Sequence, residues 1–219
     1  MTVAGVVKHA TGMETTQDTI LDLARDHGLI RPLDLASHGL PRVSLTRLVR
    51  QGRLARVGRG LYALPDRSVS EHSSLAEVAR KHPRGVVCLL SALRFHELTP
   101  QAPFAIWLAI PNKARAPSLD SLHLTGPLRI VRFPENALTE GVDEHLIDGV
   151  PVRITGIART VADCFKYRNK IGLDVALEAL REALGTNGQG RRATMDDLWH
   201  FARLCRVANV MRPYLECLT

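Results

Sequence analysis

Leu29 to Pro65, reading LIRPLDLASHGLPRVSLTRLVRQGRLARVGRGLYALP, orders a short helix, a glycine stop, an arginine-studded helix and an arginine-tipped hairpin. That order is the pattern of a winged helix-turn-helix. Between Leu29 and Arg67 the cations are Arg31, Arg42, Arg47, Arg50, Arg53, Arg56, Arg59 and Arg67, opposed within that span only by Asp34 and Asp66. A phosphate backbone is the natural counterpart of such a face.

Upstream, Thr15 or Thr16 can cap a first helix with Asp18 in its first turn, Ile20, Leu23, Ala24 and His27 at helical spacing and Gly28 as its stop. Pro32 suits the first turn of a second helix that ends at Gly39, which leaves Ser37 to Pro41 as the turn. A third helix is predicted from about Pro41 to Gln51. Its stripe of Leu45, Leu48 and Val49 faces the core and leaves Arg42, Val43, Thr46, Arg47 and Arg50 outward. Arg pairs bidentately with guanine O6 and N7, and Val43 and Thr46 can touch a thymine methyl, so this face is chemically able to read a major groove. Leu54 to Val57 and Leu61 to Leu64 form a hairpin around Gly58, Arg59 and Gly60, which puts Arg59 at the tip and Arg56 on the ribbon. Tyr62 reads as a half-buried strand aromatic.

Gly52, Leu54, Arg56, Val57, Arg59, Gly60 and Tyr62 carry a specific resemblance. The segment resembles the N-terminal winged helix of the AbiEi antitoxin family, with its arginine-rich helix and G-x-L-x-R-V-x-R-G-x-Y hairpin. LLSALRFHEL and ITGIARTVADCF further on are also similar to AbiEi-like proteins, so the resemblance extends over roughly residues 16 to 185. It implies autoregulation of a two-gene toxin-antitoxin operon through double-stranded operator DNA. It also implies that the protein counteracts a nucleotidyltransferase toxin, in this family often without a stable complex.

With 219 residues and a net charge of +7, the chain can hold two modest domains. The expected division is a winged helix over residues 1–67, with 1–14 loose, and an α/β domain over 68–219: an α+β protein that ends in helices. Asp66 to His72 is the junction. Leu75, Val78 and Ala79 mark one helix and CLLSALRFHEL another. Pro103 to Ile110 and Leu128 to Phe133 read as buried strands around a loop from Pro111 to Pro127. Glu144 to Ile147 and Val150 to Thr155 pair across Asp148 and Gly149. Thr155 is expected to cap the next helix, in which Ala158, Val161, Ala162 and Phe165 are buried and Arg159 and Asp163 form a surface ion pair. Leu173 to Leu184, Thr194 to Val207 and Asn209 to Leu218 complete the helices, with Gly185 to Arg192 a flexible basic linker.

Several chemistries lack their residues. Cys88, Cys164, Cys205 and Cys217 are dispersed, without a CxxC pair, so neither a zinc knuckle nor a disulfide framework is expected. Neither the carboxylates and Lys of a D…[DE]-x-K nuclease nor the Gly-Ser and Asp-x-Asp of a nucleotidyltransferase are present. Gly185 to Arg192 has the spacing of a phosphate loop but Arg in place of both Lys and Ser/Thr, and it follows a helix. His96 and Glu97 lack the second His of HExxH, and His96 reads as a packed helix residue. No enzyme, cofactor or metal is expected. MTVAGVVKHATGMETTQD has too short an apolar run for a signal peptide, and no later run approaches the roughly 20 residues that span a bilayer, so a cytoplasmic, membrane-free protein is expected. Two rival readings stand beside the antitoxin reading: a plain repressor whose second domain senses a ligand or oligomerises, and a degenerate nuclease fused to a DNA-binding module, which the missing metal carboxylates disfavour.

Overall fold

The computed structural model describes residues 15–115, 127–185 and 192–217. The expected loose segment 1–14, most of the Pro111 to Pro127 loop, and residues 186–191 of the expected linker lie outside the described residues. The chain divides into two compact units, Met1–Arg67 and Ser68–Thr219.

The first unit opens with α1 (Thr16–His27), whose N-cap Thr15 accepts a hydrogen bond from the Asp18 amide and which stops at Gly28 with φ 62°. Its buried face is Ile20, Leu21 and Ala24, while His27, expected on that stripe, is exposed. Helix α2 (Pro32–Ser37) starts at Arg31, where Asp34 accepts from the Arg31 amide at 2.7 Å and from its guanidinium at 2.9 Å. Gly39, at φ 68°, opens the turn into α3 (Val43–Arg50). Strands β1 (Ala55–Gly58) and β2 (Leu61–Ala63) form the antiparallel hairpin, with a register shift between Arg56 and Gly58. Ile30 adds a bridge that the sequence pattern does not announce: its amide and carbonyl bond to Tyr62 at 2.9 and 3.0 Å. Ile20, Leu21, Ala24, Ile30, Leu35, Leu45, Leu48 and Leu54 make the core on which these elements rest.

The second unit runs α4 (Ser73–Lys81), β3 (Val86–Val87), α5 (Leu89–Phe95), β4 (Ile106–Pro111), β5 (Leu128–Phe133), a 3-10 turn (Glu135–Leu138), β6 (Val142–Ile147), β7 (Val150–Thr155), α6 (Ile157–Lys166), α7 (Arg168–Ile171), α8 (Leu173–Leu184), α9 (Met195–Leu204) and α10 (Ala208–Glu216). Its sheet has the order β5-β4-β3-β7-β6, with β4 parallel to β5, β3 parallel to β7 and the other neighbours antiparallel. The two-residue β3 occupies the sheet's centre. So short a strand, buried throughout, has no alternation to betray it, and the expected sequence of helices before strands gains a strand between α4 and α5.

Two local expectations are corrected. Gly156, not Thr155, caps α6; Thr155 closes β7, buried, with its Oγ1 2.7 Å from that of Thr160. Because the Thr160 hydroxyl donates to the Thr155 carbonyl at 2.9 Å, the Thr155 hydroxyl is the donor between the two side chains. Arg159 and Asp163 do pair, at 3.0 Å, but in the interior, with their side chains 2% and 1% exposed. Every residue from Ala158 to Phe165 is buried because α6 is packed against α5, α8 and α9, and those last two covering helices come later in the chain.

Candidate nucleic-acid interface

Amphipathic packing aims α3. Leu45 and Leu48 are buried and Val49 is partly buried, whereas Arg42, Val43, Thr46, Arg47 and Arg50 are all exposed. Val43, Thr46, Arg47 and Arg50 stand at i, i+3, i+4 and i+7, so they share one face, with Arg42 flanking it. Eight residues at 1.5 Å rise give about 12 Å, the scale of a B-DNA major groove. Val43, 64% exposed, is an apolar side chain in the first turn of this face.

The hairpin is tied to the end of α3. The amides of Arg53 and Leu54 both donate to the Leu48 carbonyl, at 3.0 and 3.3 Å, and Leu54 is buried in the same core. Gly52 and Gly60 take φ of 70° and 69°, which glycine adopts without a Cβ penalty, so the chain can turn sharply after α3 and at the hairpin tip. Arg56 and Arg59 are exposed, and Tyr62 opposite Arg56 is half-buried against the core.

The arginines are not equivalent. Arg31 is held by Asp34 at the start of α2, and Arg53 donates to Gln17 at 3.1 Å and to Asp18 at 3.3 Å. Hydrogen bonds from Thr15 and then Arg53 hold the Asp18 carboxyl below its ordinary range. Arg31 closes the start of α2 on itself, and Arg53 fastens the chain after α3 to α1. By contrast, the side chains of Arg42, Arg47, Arg50, Arg56 and Arg59 have no hydrogen-bond or ion-pair partner among the described residues. Sequence counting puts Arg31 and Arg53 in the same cationic face as these five; the ion pairs single out the five as free to meet an anion. The missed distinction for Arg31 was visible as an i, i+3 acid, but the Arg53 partner lies 35 residues away.

In the second unit the half-buried histidine is packed, as expected. His96, at the end of α5, donates from Nε2 to the Thr155 carbonyl at 2.7 Å, and burial holds its pKa below the ordinary histidine value. Arg192, expected in a solvated linker, instead donates to the carbonyls of Glu97 and His96. Among the described residues no group of three or more His, Cys, Asp and Glu side chains could hold a metal, and no helix is long and apolar enough to cross a membrane.

Residues 18–65 match a family model described as a transcriptional regulator, the AbiEi antitoxin. The winged-helix segment is thus similar to that family. The match takes in α1 to β2, the elements that carry all seven candidate DNA-reading residues, and it relates the segment to regulators that are antitoxins. No curated protein matches the chain in sequence. Among solved structures, the chain is similar to the RV2827C protein from Mycobacterium tuberculosis, with a TM-score of 0.54 and 15% identity over 84% of this chain and 70% of that one. At that identity the likeness is one of fold, and it spans more of the chain than residues 18–65 do.

Proposed function

We propose that this chain is an antitoxin and transcriptional autorepressor that binds double-stranded operator DNA through its AbiEi-type winged helix and counteracts a nucleotidyltransferase toxin. The carrying observation is the exposed face of α3, with Arg42, Val43, Thr46, Arg47 and Arg50 outward and unpaired, followed by a hairpin that presents Arg56 and Arg59. Val43, Thr46 and Arg47 act as base readers, and Arg42, Arg50, Arg56 and Arg59 as contacts to phosphate or to a narrow minor groove. On this reading the chain works in the cytoplasm, without cofactor, metal or catalysis, and the second unit supplies the protection from the toxin.

Two measurements test the two halves. The intact protein should shift a duplex carrying its own promoter at a concentration at which it leaves random duplex unshifted, and Arg47→Ala should erase that difference. Cells expressing a nucleotidyltransferase toxin encoded beside this gene should grow when the intact protein is supplied and stop when it is not. Promoter binding without rescue would leave a plain repressor.

A further inference from the structure

A cavity of about 340 Å³ opens in the second unit, lined by Pro134, Asn136, Ala137, Arg159, Lys166, Leu204, Cys205 and Arg206. Its volume falls in the range of small-ligand sites. It lies beyond the carboxyl end of β5, in the sheet's parallel β4/β5 pair, an end of a strand at which open sheets commonly hold ligands. Three separate pieces of chain bring polar groups to it: Asn136 from the 3-10 turn, Lys166 from the last turn of α6 and Arg206 from the junction of α9 and α10.

Its electrostatics are one-sided. No carboxylate lines the cavity, and the nearest charge balance is internal: Arg159 forms one wall with its guanidinium committed to Asp163 and to the carbonyls of Glu140 and Ala137. Asp163 is further occupied by the Cys205 thiol, which donates to its Oδ1 at 3.3 Å. That leaves Lys166, which acts on Asp163 through its charge alone, and Arg206, both exposed and with no hydrogen-bond partner among the described residues. Two cations without hydrogen-bond partners and an amide around a cavity match the charge and donor needs of a phosphate monoester dianion.

Arg206 carries the argument further. It sits at φ 61°, where α9 ends in a Schellman arrangement: its amide donates to the Arg203 carbonyl at 3.0 Å and the Val207 amide to the Ala202 carbonyl at 2.8 Å. Glycine is the favoured residue at that left-handed position, because any Cβ is strained there. A cation near a helix end also interacts favourably with its carbonyls, but that role needs neither a left-handed arginine nor a cavity.

We propose that this cavity binds a phosphate monoester, held by Lys166, Arg206 and Asn136. The site is independent of the winged helix and of the reading as a DNA-binding antitoxin. Titration calorimetry of the intact protein with AMP, inorganic phosphate and adenosine tests it. AMP and phosphate should bind and adenosine should not. Lys166→Gln and Arg206→Gly should each weaken AMP by at least about tenfold, the effect of losing one charged hydrogen bond. Arg206→Gly also relieves the strained position, so it should melt at or above the temperature of the unaltered protein while losing the ligand. A 5′-phosphorylated trinucleotide set against its 5′-hydroxyl form tells the end of a nucleic acid from a free nucleotide as the source of the same group. Absence of AMP binding, equal binding of adenosine, or unchanged affinity in the folded Arg206→Gly variant would overturn the proposal.

Discussion

Arg159 and Asp163 stand one turn apart on α6 and form an ion pair at 3.0 Å in which neither side chain is more than 2% exposed. Each guanidinium nitrogen has a partner: Nε on Asp163, Nη1 on the Glu140 carbonyl at 2.8 Å and Nη2 on the Ala137 carbonyl at 3.2 Å, with the Phe133 ring 5.5 Å beneath it. One residue therefore ties α6 to the chain leaving β5. Burial pushes the Asp163 carboxyl up from its ordinary value, and the Arg159 charge opposes that shift.

Removing one partner of such a pair leaves a buried charge without its counterion. Arg159→Met should cost about 3–5 kcal/mol in urea unfolding. Replacing both, as Arg159→Met with Asp163→Leu, should recover part of that loss. Recovery will be incomplete, because the carbonyls of Glu140 and Ala137 lose their donors. A double variant no more stable than Arg159→Met would show that the carbonyl contacts, not the ion pair, govern the cost.

Gly141 makes a close approach of its own. It has φ 67°, its carbonyl accepts from the Gly156 amide at 2.9 Å, and a Cβ there would lie 2.5 Å from a ring carbon of Phe201. Gly141→Ala should cost about 1–3 kcal/mol by overpacking, and adding Phe201→Leu should return most of the steric part but neither the Arg159 Cβ contact at 3.1 Å nor the backbone part. Thermal melts of the two variants would separate those contributions.

His96 gives a pH dependence whose sign follows from its burial. Its pKa in the folded protein lies below the ordinary histidine value, chiefly through desolvation; the Thr155 carbonyl and Asp143 oppose the shift, while His145 and Arg192 add to it. Below about pH 6.5 the unfolded chain takes up a proton that the folded one resists. Stability from this group is complete above that pH and falls as the pH drops toward the lowered folded value. His82, lowered by burial and by Lys81, contributes with the same sign. Melting temperatures measured between pH 8 and 5 should decline, and His96→Gln, whose amide can still donate to Thr155, should decline less. Identical slopes would remove His96 as a source.

Legibility in the sequence followed the range of the interactions. Leu173–Leu184 is a helix at both predicted ends because its apolar spacing is local, and the outward face of α3 was readable because Leu45 and Leu48 fix the opposite side. What escaped depends on distant chain. Val86 and Val87 become a central strand only through β4 and β7, and Ile30 joins the hairpin only through Tyr62. The i, i+4 spacing of Arg159 and Asp163 announced a pair, but its burial is decided partly by α8 and α9, which follow in sequence. The same holds at the candidate interface: arginine content was plain, whereas the withdrawal of Arg53 toward Asp18 required the folded contact between the turn after α3 and α1.

Those five free arginines set the last prediction. Each phosphate neutralised contributes about −0.9 to the slope of log K against log salt, so binding to promoter duplex should weaken by several powers of the salt concentration. Arg59→Ala, at the hairpin tip, should weaken promoter and random duplex alike and make the slope shallower by about one unit. Arg47→Ala should weaken the promoter more than random duplex, relaxing preference at one base pair by about 1–3 kcal/mol. Arg53→Ala offers the contrast: its guanidinium is already engaged by Gln17 and Asp18, so its loss should alter the salt slope least of the three. Fluorescence anisotropy on both duplexes, from 50 to about 200 mM salt, supplies all of these quantities. If Arg47→Ala and Arg59→Ala gave equal losses on both duplexes, Arg47 would be a phosphate contact and base reading would fall to Val43 and Thr46.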